Sequence, residues 1–444
     1  MFTDQFNQNG SGEEQDNPLK VDSMLHAEDD LECGSLDVSG TFELDRDLSC
    51  GDTSVSGDAK IKGDMECSTL DVSGELECDG DISCVDMSVS GHTYVHGDTT
   101  CASFDMSGEF DAEGDFTCVN AKFTGAAEID GDVTCNSLYV SERFLGSQGD
   151  LSCCVLEVSK KGSASFNGDA KCSTLVVDAD GYFSAEGDLT CKMKAKIAGR
   201  AGVTGDTECQ SLDVSGKFLA VGDIECRVMN VSGTLETERD IECKEVFKVT
   251  ENGKVNVGGD LRCGSADISD GDVNVGGDAK CDGVFQASGT ANIGDSLSCG
   301  SVSVSGTLRC GDSVSCVGDI TADGNVIVGE DIHAKSVHIK GEALIGGLLA
   351  ANIVRIETER GEVQIEKITG DTISIAPSEK ALRKAPTAKV NTVEGGSVTL
   401  ECVRAALIIG DTVRVGDGCE IETVRCSGTP IISDGAKVTN IERA

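Results

Sequence analysis

The sequence predicts an all-β fold: a single-stranded parallel β-helix (β-solenoid), three-sided, with about 17–18 residues per coil. Three observations predict it. A cysteine returns at a nearly constant interval through Cys33, Cys50, Cys67, Cys84, Cys101, Cys118, Cys135, Cys153, Cys172, Cys191, Cys209, Cys226, Cys243, Cys263, Cys281, Cys299 and Cys316. Apolar–polar–apolar triplets recur three times within each interval, and alternation at period two marks a strand with one buried face. Ser-Gly or Gly-Asp pairs separate the triplets, and these are turn residues.

The first triplet carries the cysteine, as in Leu48-Ser49-Cys50 and Met65-Glu66-Cys67. Its outer residues point inward, so the cysteines form one inward column. Cysteine is a small, oily residue that suits a narrow slot. Ala322 and Ala334 lie near the end of this column, and His333, one regular interval after Cys316, is expected to continue it. The second triplet supplies a second inward pair (Leu70 and Val72, Phe104 and Met106), and the third another (Phe42 and Leu44, Phe110 and Ala112). One coil cannot bury its own face, so the stack supplies the stability. Crossovers between parallel strands favour a right-handed path.

The corner before each cysteine triplet carries an aspartate. It stands three residues before the cysteine in fifteen consecutive units, among them Asp47, Asp64, Asp81, Asp98, Asp115 and Asp132, and in twelve of the fifteen a glycine precedes it. Glycine is expected to take a positive-φ position there, and aspartate to cap backbone N–H groups. Neighbouring carboxylates repel by roughly 1 kcal/mol per pair in water. A hydrogen bond to a backbone donor returns about as much. Divalent cations between rungs are an alternative partner for the column.

The chain divides by texture into three parts: a flexible polar tail at 1–29, an acidic β-helix with cysteine and aspartate ladders at 30–322, and a near-neutral β-helix end at 323–444. The last part carries an exposed loop at 376–391, where two of the four prolines and a basic cluster fall. The net charge of −42 lies almost wholly in residues 1–330, because residues 331–444 hold 16 acids and 14 bases. So negative a field argues against nucleic acid as a partner and against an anionic membrane surface. The N-terminus lacks the basic start and apolar core of a secretory signal, and the expected compartment is the cytoplasm, where thiols stay reduced.

Candidate chemistry is sparse. Zinc and iron–sulfur sites show close cysteine pairs that place four sulfurs around a point, whereas this column offers sulfurs along a line. No metal or cofactor is therefore expected. The five histidines (His26, His92, His96, His333, His338) are scattered. Left-handed acyltransferase helices run on a hexapeptide beat with a catalytic histidine, but here the inward steps run 5, 6, 6 through Cys33, Val38, Leu44 and Cys50. An enzyme is not expected.

The run Gly324-Asn325-Val326-Ile327-Val328-Gly329-Glu330-Asp331-Ile332-His333-Ala334-Lys335-Ser336-Val337-His338-Ile339-Lys340-Gly341 resembles the repeat of bactofilins, the polymer-forming bacterial cytoskeletal proteins. Gly341-Glu342-Ala343-Leu344-Ile345-Gly346-Gly347 does so too, and the texture of the resemblance extends over roughly residues 30–444. It implies a right-handed, three-sided β-helix that polymerises end to end without nucleotide. The chain departs from the family in its length, in its two ladders and in a tail that is acidic where lysine would help it touch a membrane. The expected function is thus a non-enzymatic structural polymer or scaffold, with the chain itself as partner through terminal coils and no membrane attachment. The competing reading is a cross-linked surface or spore-coat layer, with off-ladder Cys154, Cys402, Cys419 and Cys426 as cross-linking thiols.

Overall fold

A computed structural model describes residues 18–146, 148–358, 362–378 and 387–443. All regular structure among them is β-strand, paired parallel, in a β-solenoid. The chain forms two compact units, residues 1–187 and 188–444.

The coil of the first unit is seen most plainly at Leu48–Ile61. Leu48–Val55 is one strand that bends once and buries Leu48, Cys50, Thr53 and Val55; Asp58–Ile61 then buries Ala59 and Ile61. The polar residues between them face water. Each position stacks on its equivalent in the next coil: Leu48 on Met65, Cys50 on Cys67, Val55 on Val72, Ile61 on Cys78. This register keeps every apolar triplet over another. A slip of one residue would turn all of them outward.

The corners explain the glycines, though not through positive φ. The only glycines at positive φ among the described residues are Gly341 and Gly418. At Gly80 a Cβ would instead sit 2.4 Å from the Asp64 carboxylate and 2.5 Å from the Gly63 carbonyl oxygen. At Gly74 it would lie 2.0 Å from the Gly57 carbonyl oxygen. Corners stacked one strand spacing apart leave no room for a side chain there. Glycine is required by this close approach.

The core of the first unit is rich in phenylalanine. Phe104 packs edge-on against Phe110 and Phe116, with ring centroids 5.0 and 5.1 Å away, and tilted against Phe123. Such pairs add to the area they bury.

The second unit repeats the plan with more variable coils, from 20 residues between Ile241 and Leu261 to 15 between Ala388 and Val403. Extra residues go to corners. Leu189–Ile197 stacks on Thr207–Val214 with a register shift after Cys191 that pushes Met193 to the surface. Glu251 and Asn252 widen another corner at positive φ, as Lys161 and Asp180 do in the first unit. Past residue 360 the three faces merge into long strands, Val363–Pro377, Ala388–Leu400 and Val403–Val415, in which the inward alternation persists.

Three expectations change. Strands start at Pro18–Val21 and Met24–Ala27, inside the stretch 1–29 read as a tail, because Leu19 and Val21 continue the inward pattern over Leu36 and Val38. Residues 1–17 lie outside the described residues. The loop at 376–391 is shorter than read, since Ala376 and Pro377 end one strand and Ala388–Asn391 begin the next; residues 379–386 lie outside the described residues. His333 does not continue the cysteine column. Ile332 stacks on Val314 and His333 on Ser315, so this coil is one position longer than the regular interval and His333 points outward.

Candidate assembly surfaces and side-chain columns

The cysteine triplet places its sulfur on the inner side of a corner. Cys50 to Cys67, Cys101 to Cys153 and, in the second unit, Cys191 to Cys316 follow one another in strand register. None of the 23 cysteines is in a disulfide. Two pairs of neighbouring thiols touch, with Cys33 and Cys50 Sγ 2.8 Å apart and Cys263 and Cys281 Sγ 2.9 Å, whereas Cys118, Cys243 and Cys316 donate to backbone carbonyls. The neighbouring Cys101 and Cys67 thiols pull the Cys84 pKa below the ordinary thiol range, while Cys84 pushes Cys67 above it, and Cys118 followed by Cys84 push Cys101 above it.

The column lies close to the surface. Cys84, Cys101, Cys118 and Cys135 line a shallow groove in the first unit, and Cys191, Cys209 and Cys226 line another in the second. Off the column, Cys154 is exposed. Cys402, Cys419 and Cys426 are 0–2% exposed. The reading of those three as cross-linking thiols is therefore corrected. They are inward residues of the last coils, and burial pushes Cys419 up to about 11.

The aspartate column is a ladder of caps. The Oδ1 of each of Asp47, Asp64, Asp81, Asp98, Asp115 and Asp132 accepts the backbone N–H of the aspartate one coil on, at 2.8–2.9 Å. In the second unit the same bond runs from Asp206 N–H to Asp188 through to Ser296 N–H to Asp278. This bond gives the side chain at the position its backbone partner.

A third group lies on the outer face of the first unit. Tyr94 donates to Glu113 at 2.5 Å, and His96 Nδ1 is 2.9 Å from the same carboxylate. Both contacts hold Glu113 below the usual carboxylate range, and Glu113 pushes Tyr94 up to about 12. Glu77, Asp79 and His96 come within 4.8 Å of one another, but Lys60 already pairs with Glu77 at 2.6 Å. The group reads as a solvated ion-pair network.

The last described coil of the second unit differs from the coils before it. Lys437–Arg443 pairs with Glu420–Cys426 on one side, and among the described residues no strand covers its other edge. Its inward residues stand over a buried layer: Val438 over Ile421 and Ile441 over Val424. Ile421 and Val424 are 3% and 0% exposed, whereas Ile441 is 59% exposed. Ile431 is exposed beside it, and Met24 is exposed in the first described coil. Residue-by-residue reading passed over these positions, because an inward triplet looks the same whether or not another coil lies above it.

A family model described as bactofilin, polymer-forming cytoskeletal, matches residues 53–152. The match falls on the cysteine- and aspartate-ladder coils, not on the 324–347 motifs that carry the resemblance in sequence. No curated protein and no solved structure matches the chain. No helix among the described residues is long and apolar enough to cross a membrane.

Proposed function

We propose that this chain is a non-enzymatic structural protein that assembles with copies of itself, coil upon coil, through the ends of its β-solenoid. The bactofilin match and the solenoid fit a polymer-forming cytoskeletal protein. The observation that carries the mode of assembly is the uncovered coil Lys437–Arg443. It offers a strand edge that no strand among the described residues pairs, together with apolar inward residues, and a second copy satisfies both at once. The near-neutral charge of residues 331–444 allows this approach, whereas the acidic flanks of residues 1–330 repel sideways contact. The proposed compartment is the cytoplasm, where so many thiols stay reduced.

Ile441→Asp tests the end contact. The substitution places a charge on the joining layer while leaving the buried coils beneath it intact. Pelleting of the wild-type protein on ultracentrifugation, with the variant remaining in the supernatant at unchanged circular dichroism, is expected. A variant that pellets as the wild type does would remove the C-terminal coil from the contact.

A further inference from the structure

We propose that Cys33 and Cys50 are a hydroperoxide-sensing dithiol at the start of the first unit: Cys50 is oxidised first, Cys33 resolves it, and the resulting disulfide staples the strand Leu31–Val38 to the strand Leu48–Val55.

Cys33 is the first rung of its column. On one side Leu31-Glu32-Cys33 stacks on Leu48-Ser49-Cys50. On the other side Pro18–Val21 pairs with Ser35–Val38, and among the described residues no strand covers the cysteine triplet there. Cys33 is accordingly half-buried, whereas the later rungs Cys67, Cys101 and Cys118 are 4–7% exposed. Its sulfur stands 2.8 Å from that of Cys50. Cys263 and Cys281 approach as closely, at 2.9 Å, but both are buried with a further rung on either side. Of the two pairs, the one at the open end combines close approach with access.

The surroundings of Cys50 favour a nucleophile. Thr53 takes the inward position that Leu36 and Leu70 hold in the coils on either side. It is 2% exposed and its hydroxyl has no hydrogen-bond partner, a costly state for a buried polar group. The Cys33 thiol, the Thr53 hydroxyl and the Gly51 N–H all favour a charged sulfur at Cys50 and hold its pKa below the ordinary thiol range, against the nearby Asp52 carboxylate. The thiolate is the attacking form. It attacks the terminal oxygen of a hydroperoxide: a sulfur–oxygen bond forms, the oxygen–oxygen bond breaks, and the alkoxide leaves as the alcohol after taking a proton from water. Cys50 is then a sulfenic acid. The Cys33 sulfur, having lost its proton, attacks the Cys50 sulfur. The sulfur–sulfur bond forms, and hydroxide leaves with that proton as water. The two thiols lose two electrons and the hydroperoxide gains them. In-register Cα atoms lie about 4.8 Å apart, within the span of a disulfide, and bond formation draws the sulfurs together by about 0.8 Å. Exchange with a small-molecule thiol reverses the bond.

The test adds hydrogen peroxide in small steps to the reduced full-length chain, alkylates the remaining thiols, digests with trypsin without reductant and reads the peptides by mass spectrometry. The peptides Val21–Arg46 and Asp47–Lys60, joined through Cys33 and Cys50, are expected before any other linked pair and are expected to separate on treatment with dithiothreitol. Absence of that pair, linkage of Cys50 to Cys67 in its place, or earlier oxidation at Cys154 would overturn the proposal. So would linkage of Cys263 to Cys281 at the same rate, since access would then not decide the site. Dimedone, which labels sulfenic acids, reads the order of events. Cys33→Ser is expected to accumulate label at Cys50, and Cys50→Ser to leave Cys33 unlabelled. Equal labelling in the two variants would overturn the assignment of roles.

Discussion

At the scale of single residues, the aspartate corner shows how a repulsive arrangement is retained. Asp81 sits in a column of like charges, yet its Oδ1 takes the N–H of Asp98 at 2.8 Å. Asparagine keeps that acceptor and removes one charge, whereas alanine removes both. Asp81→Asn is expected to leave stability unchanged or slightly raised, and Asp81→Ala to cost about 0.5–1.5 kcal/mol. Amide exchange at Asp98 reports this locally: fast exchange in the alanine variant alone is expected, and fast exchange in both would show that the charge matters more than the acceptor. Thr93 offers the opposite case. It occupies an inward position between Leu76 and Phe110, fully buried, and its hydroxyl has no hydrogen-bond partner. Thr93→Val should stabilise by about 1 kcal/mol in a denaturant melt, and a destabilised variant would show that the hydroxyl has a partner after all. The aspartate's place at a corner was legible from spacing. Its hydrogen-bond partner was not, because the bond joins residues one full coil apart that become neighbours only through the stack. The glycine beside it was misread for the same reason: the sequence shows a turn, but the obstacle that demands glycine belongs to the neighbouring coil.

At the scale of the coil, parity decides nearly everything. Triplet alternation alone identifies the inward residues of Leu48–Val55 and Asp58–Ile61, and those residues are the buried ones. Insertions are harder to read. A lengthened coil places its surplus at a corner, as a bulge at Met193 or a positive-φ turn at Glu251 and Asn252, and only the register shows which corner. The misplacement of His333 is this effect in miniature, since the coil that carries it is one position longer than the regular interval. Glycine substitutions test the stacking directly. Gly74→Ala drives a Cβ against the Gly57 carbonyl oxygen and should cost the ~1–3 kcal/mol of an overpacked site or more. Gly202→Ala, where nothing lies within 4 Å of the added Cβ, should be neutral or mildly stabilising. Comparable melts for the two variants would argue against corner packing as the reason for glycine.

At the scale of the whole molecule, the same interactions that join coil to coil inside the chain are left open at its last described coil. Nothing in the stacking chemistry distinguishes a coil of the same chain from a coil of another. Parallel pairing, apolar cover for Ile441 and the ion pairs that cross coils, such as Arg425 with Glu442 at 2.9 Å, are all of the kind another coil supplies. In the proposed mode of assembly, repulsion between the acidic residues 1–330 of two copies disfavours contact there. The fold and its repeat were legible in the sequence from the cysteine beat and the triplets. The proposed assembly surface was legible as the terminal coils and the near-neutral region, but not residue by residue, since exposure of an inward triplet depends on what lies above it. Negative-stain electron microscopy of the purified full-length protein, with no nucleotide added, tests the central claim most directly. Filaments that shorten or vanish with Ile441→Asp are predicted. Isolated particles at high protein concentration would contradict the account.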